Sequence, residues 1–288
     1  MTPGATLRAC CVAVVLFALV SPALEPQPTF QTSVALVRVD VEAVASSGGA
    51  MAGLTRENFR VLDDGLEQPV SAFSFEEEPL DLILLFDHSG GMKGKLLELV
   101  RAVELGFHEL KTGDRVCVMA FQRDAEEFTP FLANLGEVNE AILLKVLELP
   151  FRGNSNVESA AAAAAVRFRV EPSSGRRRAV LVVTDKAGGN SQATVRELWK
   201  SNAVLSELVI GNARAVSPMA DRTGGTVVLA GPAGPSFQQA IRSLRKRYTL
   251  YYAAPEGQTG SERRVEVQLK SPGTQGAIVH ARSGYLVP

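Results

Sequence analysis

The chain has 288 residues, 46% of them hydrophobic and 21% charged, with a formal net charge of -1. This is a globular composition with room for one large domain, or for a medium domain with an appendage. Near-neutral charge, with no block of like charge longer than "EEE" (Glu76 to Glu78) or "RRR" (Arg176 to Arg178), excludes nucleic acid and anionic membrane as the main partner. Both triplets read as solvated loop charges.

At the N-terminus, "LRACCVAVVLFALVSPALE" places one Arg before an apolar run of about a dozen residues that ends at Ser21-Pro22-Ala23, the anatomy of a secretory signal. Residues 1–23 are therefore expected to be removed, giving a secreted or periplasmic protein whose mature chain has no membrane span. Cys10 and Cys11 leave with that peptide. Cys117, in the alternating "RVCVMAF", remains as a core thiol, which argues against redox catalysis.

From residue 24 to 79 the signals are for β-structure. "SVALVRVDVEAV" alternates with period two, "SSGGAMAG" is a flexible link, and "NFRVLDDGLEQPVSAF" reads as two strands around an Asp-Asp-Gly turn. From 80 to 247 the pattern changes to short continuous apolar runs: "LILLF", "RVCVMAF", "AVLVVT", "VLSELVI" and "GTVVL". Such runs imply strands covered on both faces, hence an α/β domain with a mostly parallel, Rossmann-like sheet between helices. "MKGKLLELVRAVELGFHELK", "NVESAAAAAAVRFRV" and "PSFQQAIRSLRKRY" are the helical stretches. The alanines of the second suit a helix lying close to a sheet, and Arg245 to Arg247 read as complementing the dipole of the third. Trp199 is expected to anchor a helix on the sheet. Residues 248–288 return to period two, with at least one ring of Tyr248, Tyr251 and Tyr252 expected to be exposed. Each flank has too few strands for a core of its own, so the two are expected to pair into a small β-sandwich or to add strands beside the α/β domain.

"DHSGGM", residues 87–92, stands where the first buried strand ends and a helix is about to begin. A P-loop fails here, because Gly94-Lys95 is followed by Leu96 and Ser89 replaces the first Gly. The spacing of Gly90, Gly91 and Gly94 also fails a dinucleotide fingerprint. Phosphoryl transfer on Asp87 would want a second carboxylate at Ser89. A hard divalent cation needs only a few Asp and Ser or Thr oxygens on loops held by rigid strands. Asp87 and Ser89 offer two such groups, Ser155 in "RGNSNVESA" a third, and Asp185 in "AVLVVTDKAGG" a fourth. In an open α/β sheet such strand ends share one rim, so Asp87 and Asp185 are expected to be neighbours. His88, His108 and His280 lack metal-ligand spacing and no Gly-x-Ser-x-Gly elbow occurs, so an enzyme is not expected.

The order strand, "DHSGGM", helix, "GDRVCVMAF", "GNSNVESA", "VLVVTDKAGG" and "MADRTGGTVV" resembles the von Willebrand factor type A domain and its metal-ion-dependent adhesion site, D-x-S-x-S followed by a Thr and an Asp. Asp87, Ser89 and Asp185 match that motif, Ser155 stands at its threonine, and Gly91 stands at its second serine. The resemblance implies Mg²⁺ or Mn²⁺ held by Asp87, Ser89, Ser155 and Asp185, with affinity reduced by Gly91. It also implies a protein partner that fills the open coordination position with an acidic side chain. The flanks resemble those of exported bacterial proteins with this domain, of the type known from acidobacteria. The expected function is adhesion or protein interaction; the alternative is a metal-independent structural or assembly protein of the cell envelope.

Overall fold

The computed structural model describes residues 35–146, 148–171, 175–211, 215–230, 233–270 and 274–288. The signal-peptide reading, with Cys10 and Cys11, lies outside the described residues.

A six-stranded sheet forms the centre: β5 (Leu80–Asp87), β6 (Arg115–Phe121), β7 (Ala125–Leu132), β8 (Arg177–Thr184), β9 (Ala203–Ile210) and β10 (Val227–Ala230), in the order β10-β9-β8-β5-β6-β7. All neighbours are parallel except β6 and β7. Alternation along β5 divides the core. Leu82, Leu84 and Phe86 face a cluster with α1 (Leu96–Phe107), α2 (Leu135–Ala141) and α6 (Ala233–Arg245). Ile83 and Leu85 face a cluster with α3 (Val157–Val170), α4 (Gln192–Lys200) and α5 (Pro218–Thr223). Both faces are covered, as the unbroken apolar runs require. In α3, Ala160, Ala161, Ala164 and Ala165 are fully buried, so the helix lies close to the sheet. Trp199 packs in the second cluster and donates its indole N–H to the Arg222 carbonyl at 3.0 Å. Cys117 is buried in the same core, and desolvation pushes its thiol pKa up to about 12.

The flanks interleave into a β-sandwich. One sheet has the order β13-β1-β11-β4, from Ile278–Ala281, Leu36–Val44, Tyr248–Ala253 and Ala72–Phe75. The other has the order β14-β12-β2-β3, from Gly284–Leu286, Glu262–Leu269, Phe59–Asp63 and Leu66–Gln68. β2 and β3 close through Asp64 and Gly65, whose φ values of 47° and 84° give the left-handed pair that a two-residue hairpin needs. Val37, Val39, Val41 and Ala43 of β1 point into the sandwich core. Tyr252 and Tyr285 both donate to the buried Asp63, at 2.8 and 2.9 Å.

The other face of β1 carries Arg38, Asp40 and Glu42, which meet the N-terminal ends of the central strands in a buried ionic layer. Asp40 lies beside Arg38 (3.2 Å) and Arg177 (3.8 Å) and accepts from Thr249 Oγ1 at 2.8 Å. Glu42 accepts from Arg247 at 3.2 Å and from Ser243 at 2.7 Å. Arg245 pairs with Asp114 at 3.0 Å, and Arg176 and Arg115 pair with Asp81 at 2.6 and 2.8 Å.

This layer corrects three sequence expectations. Arg176 to Arg178 are not solvated: Arg177 and Arg178 are buried within β8, and Arg176 is held by Asp81. Arg245 and Arg247 do not end α6 in solvent but are 3% and 1% exposed, clamping the helix end to Asp114 and Glu42. Of the acidic triplet, Glu76 and Glu78 are half-buried and paired with Lys111 and Arg38. Nor is any ring of the tyrosine group exposed: Tyr248 and Tyr252 are buried, and Tyr251 is half-buried, donating to Glu78.

Burial works against ionisation of Asp40, yet Arg38 and Arg177 hold its carboxyl below the usual carboxylate range. Burial likewise lowers Arg177, to about 10, against the pull of Asp40. Asp40→Ala would strand these guanidinium groups, and urea unfolding at pH 7 should show a loss of about 3–5 kcal/mol. The native fold holds the Asp40 proton less tightly than the unfolded chain does. Its contribution is therefore full above about pH 4 and is lost as the pH falls through its lower folded value.

Candidate metal centre

The site residues gather at the C-terminal rim of the central sheet, opposite the ionic layer. β5 ends at Asp87 and β8 at Thr184, in parallel register with Phe86 beside Val183, so Asp87 comes level with Thr184 and Asp185 follows directly at the same rim. Asp87 is fully buried. Its Oδ1 accepts from the Ser89 backbone N–H at 2.8 Å, and its Oδ2 accepts from Thr184 Oγ1 at 2.7 Å. After Ser89 the chain makes one 3-10 turn, Gly90–Met92, pinned by the buried Met92.

Ser155 comes to this rim on the loop before α3. The Gly90 N–H donates to the Gly153 carbonyl at 3.1 Å, and the Asn156 N–H donates to Gln122 at 2.7 Å. Asn156 then caps α3 by accepting from the Ser159 N–H at 3.0 Å.

Three buried oxygens here have no hydrogen-bond partner among the described residues: Ser89 Oγ, Ser155 Oγ and Asp185 Oδ1. The other such atoms belong to Arg177, Arg178, Arg245 and Glu78 of the ionic layer, where Glu78 Oε2 lies 2.6 Å from Arg38 and Arg245 Nε 3.0 Å from Asp114. A buried polar atom left without a partner costs about 1–3 kcal/mol, so three on adjoining loops mark a place built for something else to satisfy them. Two hydroxyls and a carboxylate oxygen, beside a second carboxylate, are the donor set of a hard divalent cation. The residues fit the ion that the motif implies. Among the described residues no group of three or more His, Cys, Asp and Glu side chains could hold a metal ion, and half of this cup is hydroxyl oxygen.

Gly91 has a specific consequence. A Cβ built on it would lie 1.9 Å from Asp185 Oδ2, so the carboxylate occupies the space where a serine side chain would stand. The same Oδ2 lies 3.6 Å from Lys95 Nζ.

Two further acids hold the loop that carries Asp185. Glu207, fully buried in β9, accepts from the Gly188 N–H at 2.8 Å and from Ser217 Oγ at 2.6 Å. Glu158 of α3, three residues beyond Ser155, accepts from the Ser191 N–H at 3.0 Å. Gly188 and Gly189 leave room for these contacts, since a Cβ on them would lie 2.5 Å from Glu207 Oε1 and 1.9 Å from Glu158 Oε1, so the carboxylates would have to shift.

All four residues named from sequence therefore lie on this rim. The reading missed Thr184, Lys95, Glu158 and Glu207. Thr184 directly precedes Asp185, and Glu207 is the one acid inside the run "VLSELVI"; both signals were present in the sequence. His88 is at the rim, with Nδ1 at 3.2 Å from the Pro150 carbonyl, whereas His108 is exposed just beyond α1 and His280 lies on β13.

Residues 80–229, just over half of the chain, match the family model of the von Willebrand factor type A domain. No curated protein matches the chain. Solved structures with a similar fold include a von Willebrand factor type A protein from Catenulispora acidiphila (16% identity, TM-score 0.48, covering 90% of this chain and 75% of that one). An aerotolerance-related membrane protein from Bacteroides fragilis is similar at 15% identity and TM-score 0.48, over 57% of this chain and 98% of that one. So is proximal thread matrix protein 1 of the mussel byssus, at 14% and 0.46, over 60% and 49%. At such scores these likenesses carry no argument about function.

Burial pushes the Glu207 carboxyl above the usual range, against the hydrogen bonds from Ser217 and Gly188. The native fold therefore holds this proton more tightly than the unfolded chain. The cost of ionised Glu207 is full above its folded pKa and fades toward about pH 4. Glu207→Gln, whose amide can still accept from Gly188 and donate to Ser217 Oγ, should raise the melting temperature at pH 7. The gain should shrink as the pH approaches 4; a gain unchanged by pH would refute this account of Glu207.

Proposed function

This chain belongs to the von Willebrand factor type A family, and we propose that it is an exported adhesion or protein-interaction module whose rim cup takes Mg²⁺ or Mn²⁺. The reading rests on one observation, the buried oxygens of Ser89, Ser155 and Asp185 on adjoining loops, which have no hydrogen-bond partner among the described residues. Ser89, Ser155 and Asp185 would hold the ion directly, and Asp87, whose two oxygens already accept from the Ser89 N–H and Thr184 Oγ1, would act at one remove, through its charge or a bridging water. When bound, such an ion supplies a compact positive charge that favours a carboxylate ligand, so the partner is a protein presenting an acidic side chain. Thr184 and the Ser89 backbone keep Asp87 oriented, and Glu158 and Glu207 fix the loop that carries Asp185.

The N-terminal apolar run supports export as part of this proposal, and the flank patterns favour the acidobacterial type. The proposal includes no catalysis: His88 follows β5, His108 follows α1 and His280 lies on β13. Among the described residues no helix is long and apolar enough to cross a membrane.

A second reading, a metal-independent structural or assembly protein of the cell envelope, is favoured by Gly91, since the family's second hydroxyl is missing and Asp185 lies in its place. Calorimetry separates the two. Mn²⁺ should bind the native chain weakly, with a dissociation constant on the order of millimolar, and Asp185→Ala should abolish binding. Absence of binding by the native chain, together with partner capture from the envelope fraction that persists in chelator, would favour the second reading.

A further inference from the structure

Three features of the cup converge on one lysine. Lys95 Nζ is 3.6 Å from Asp185 Oδ2, a carboxylate oxygen of the same residue whose other oxygen is buried without a partner. That Oδ2 can stand where it does only because residue 91 is glycine, since a Cβ there would lie 1.9 Å from it. On its far side the ammonium passes Gly211, just beyond β9, where a Cβ would come within 3.6 Å of Nζ. The side chain of Lys95 is 39% exposed and that of Asp185 11%, so the lysine, not the acid, is free to move away.

We propose that Lys95 is a built-in competitor for the cation cup: its ammonium neutralises Asp185 in the ion-free protein and must leave before a divalent ion can be held. The inference rests on the cation reading of the cup and adds to it the residue that sets ion affinity. A serine at position 91 would hold the Asp185 carboxylate off this seat, whereas glycine lets the carboxylate settle toward the lysine. Loss of the motif's hydroxyl and gain of the ammonium contact are thus one change, and the cup becomes responsive only where divalent ions are abundant. The contact is local. Lys93, two residues earlier in the same turn, is exposed, and among the described residues the ion pair to Asp185 comes from Lys95.

The test is a Mn²⁺ titration of the whole chain, followed by the electron paramagnetic resonance signal of the free ion, for the native protein and for K95M, K95R and K93M. Thermal unfolding of each variant reports whether it folds. Removing an exposed-to-half-buried charge 3.6 Å from a ligand oxygen should tighten Mn²⁺ binding about five- to tenfold in K95M. K95R should stay close to the native value, and K93M should change it by less than about twofold, because a charge exposed in the same turn is screened. In native protein with ¹³C-methylated lysines, the Lys95 resonance should also shift on adding Mg²⁺, and in Asp185→Ala it should not. Equal or weaker binding by K95M, or an equal gain in K93M, overturns the competitor role while leaving the cation reading intact. Absence of Mn²⁺ binding in both native protein and K95M up to about 20 mM removes the cation reading and this inference together.

Discussion

The layer of arginines and carboxylates between β1 and the feet of the central strands is the constraint on which the rest depends. Arg177, Arg245 and Arg247 come from the α/β domain or its last helix, and Asp40 and Glu42 from the first flanking strand. Ionic groups with so little exposure are costly unless paired, so the sandwich has one orientation in which it can dock. That orientation places it at the N-terminal ends of β5, β6 and β8. Asp87 and Asp185 stand at the opposite ends of these strands, and along α4 the sandwich reaches Gln192, which donates to Glu262 at 2.9 Å. An apolar interface would have given adhesion without this directional demand, since buried area tolerates sliding in a way that an ion pair does not.

At the far rim the logic is reversed. There the chain leaves Ser89, Ser155 and Asp185 with unfilled acceptor capacity while spending two other carboxylates, Glu158 and Glu207, on holding loops still. Glu207 is ionisable, buried and without a cationic partner among its hydrogen bonds, which makes it an expensive tether. Local violations of good packing and pairing gather at functional sites, and at this rim they fall on Ser89, Ser155 and Asp185.

Much of this was legible in the sequence, and what was not has a physical reason. Strands such as "LILLF" and "AVLVVT" declare themselves because burial on both faces removes polar alternation, and acids directly after two such runs are forced to one rim by parallel register. The arginine triplet differs from the expectation because Asp81, the carbonyl of Arg245 in α6 and that of Ser201 just beyond α4 are remote in sequence; nothing local separates a solvated "RRR" from a buried one. β7 was not anticipated: its two glutamates and Pro130 belong to an exposed edge, where strand composition is least distinctive. The role of Lys95 depends on the position of one carboxylate oxygen, which no spacing rule encodes.

The interleaving of the flanks bears on how the chain can reach its native state. β1 is completed on one side by β11, with Leu36 opposite Ala253, and on the other by β13, with Val44 opposite Ile278. Nearly the whole polypeptide must therefore leave the ribosome before its earliest strand finds either neighbour. Such long-range closure slows folding and leaves strand edges open meanwhile. A protein of this topology would gain from a chaperone that shields β1 until synthesis ends, and would tolerate C-terminal truncation poorly.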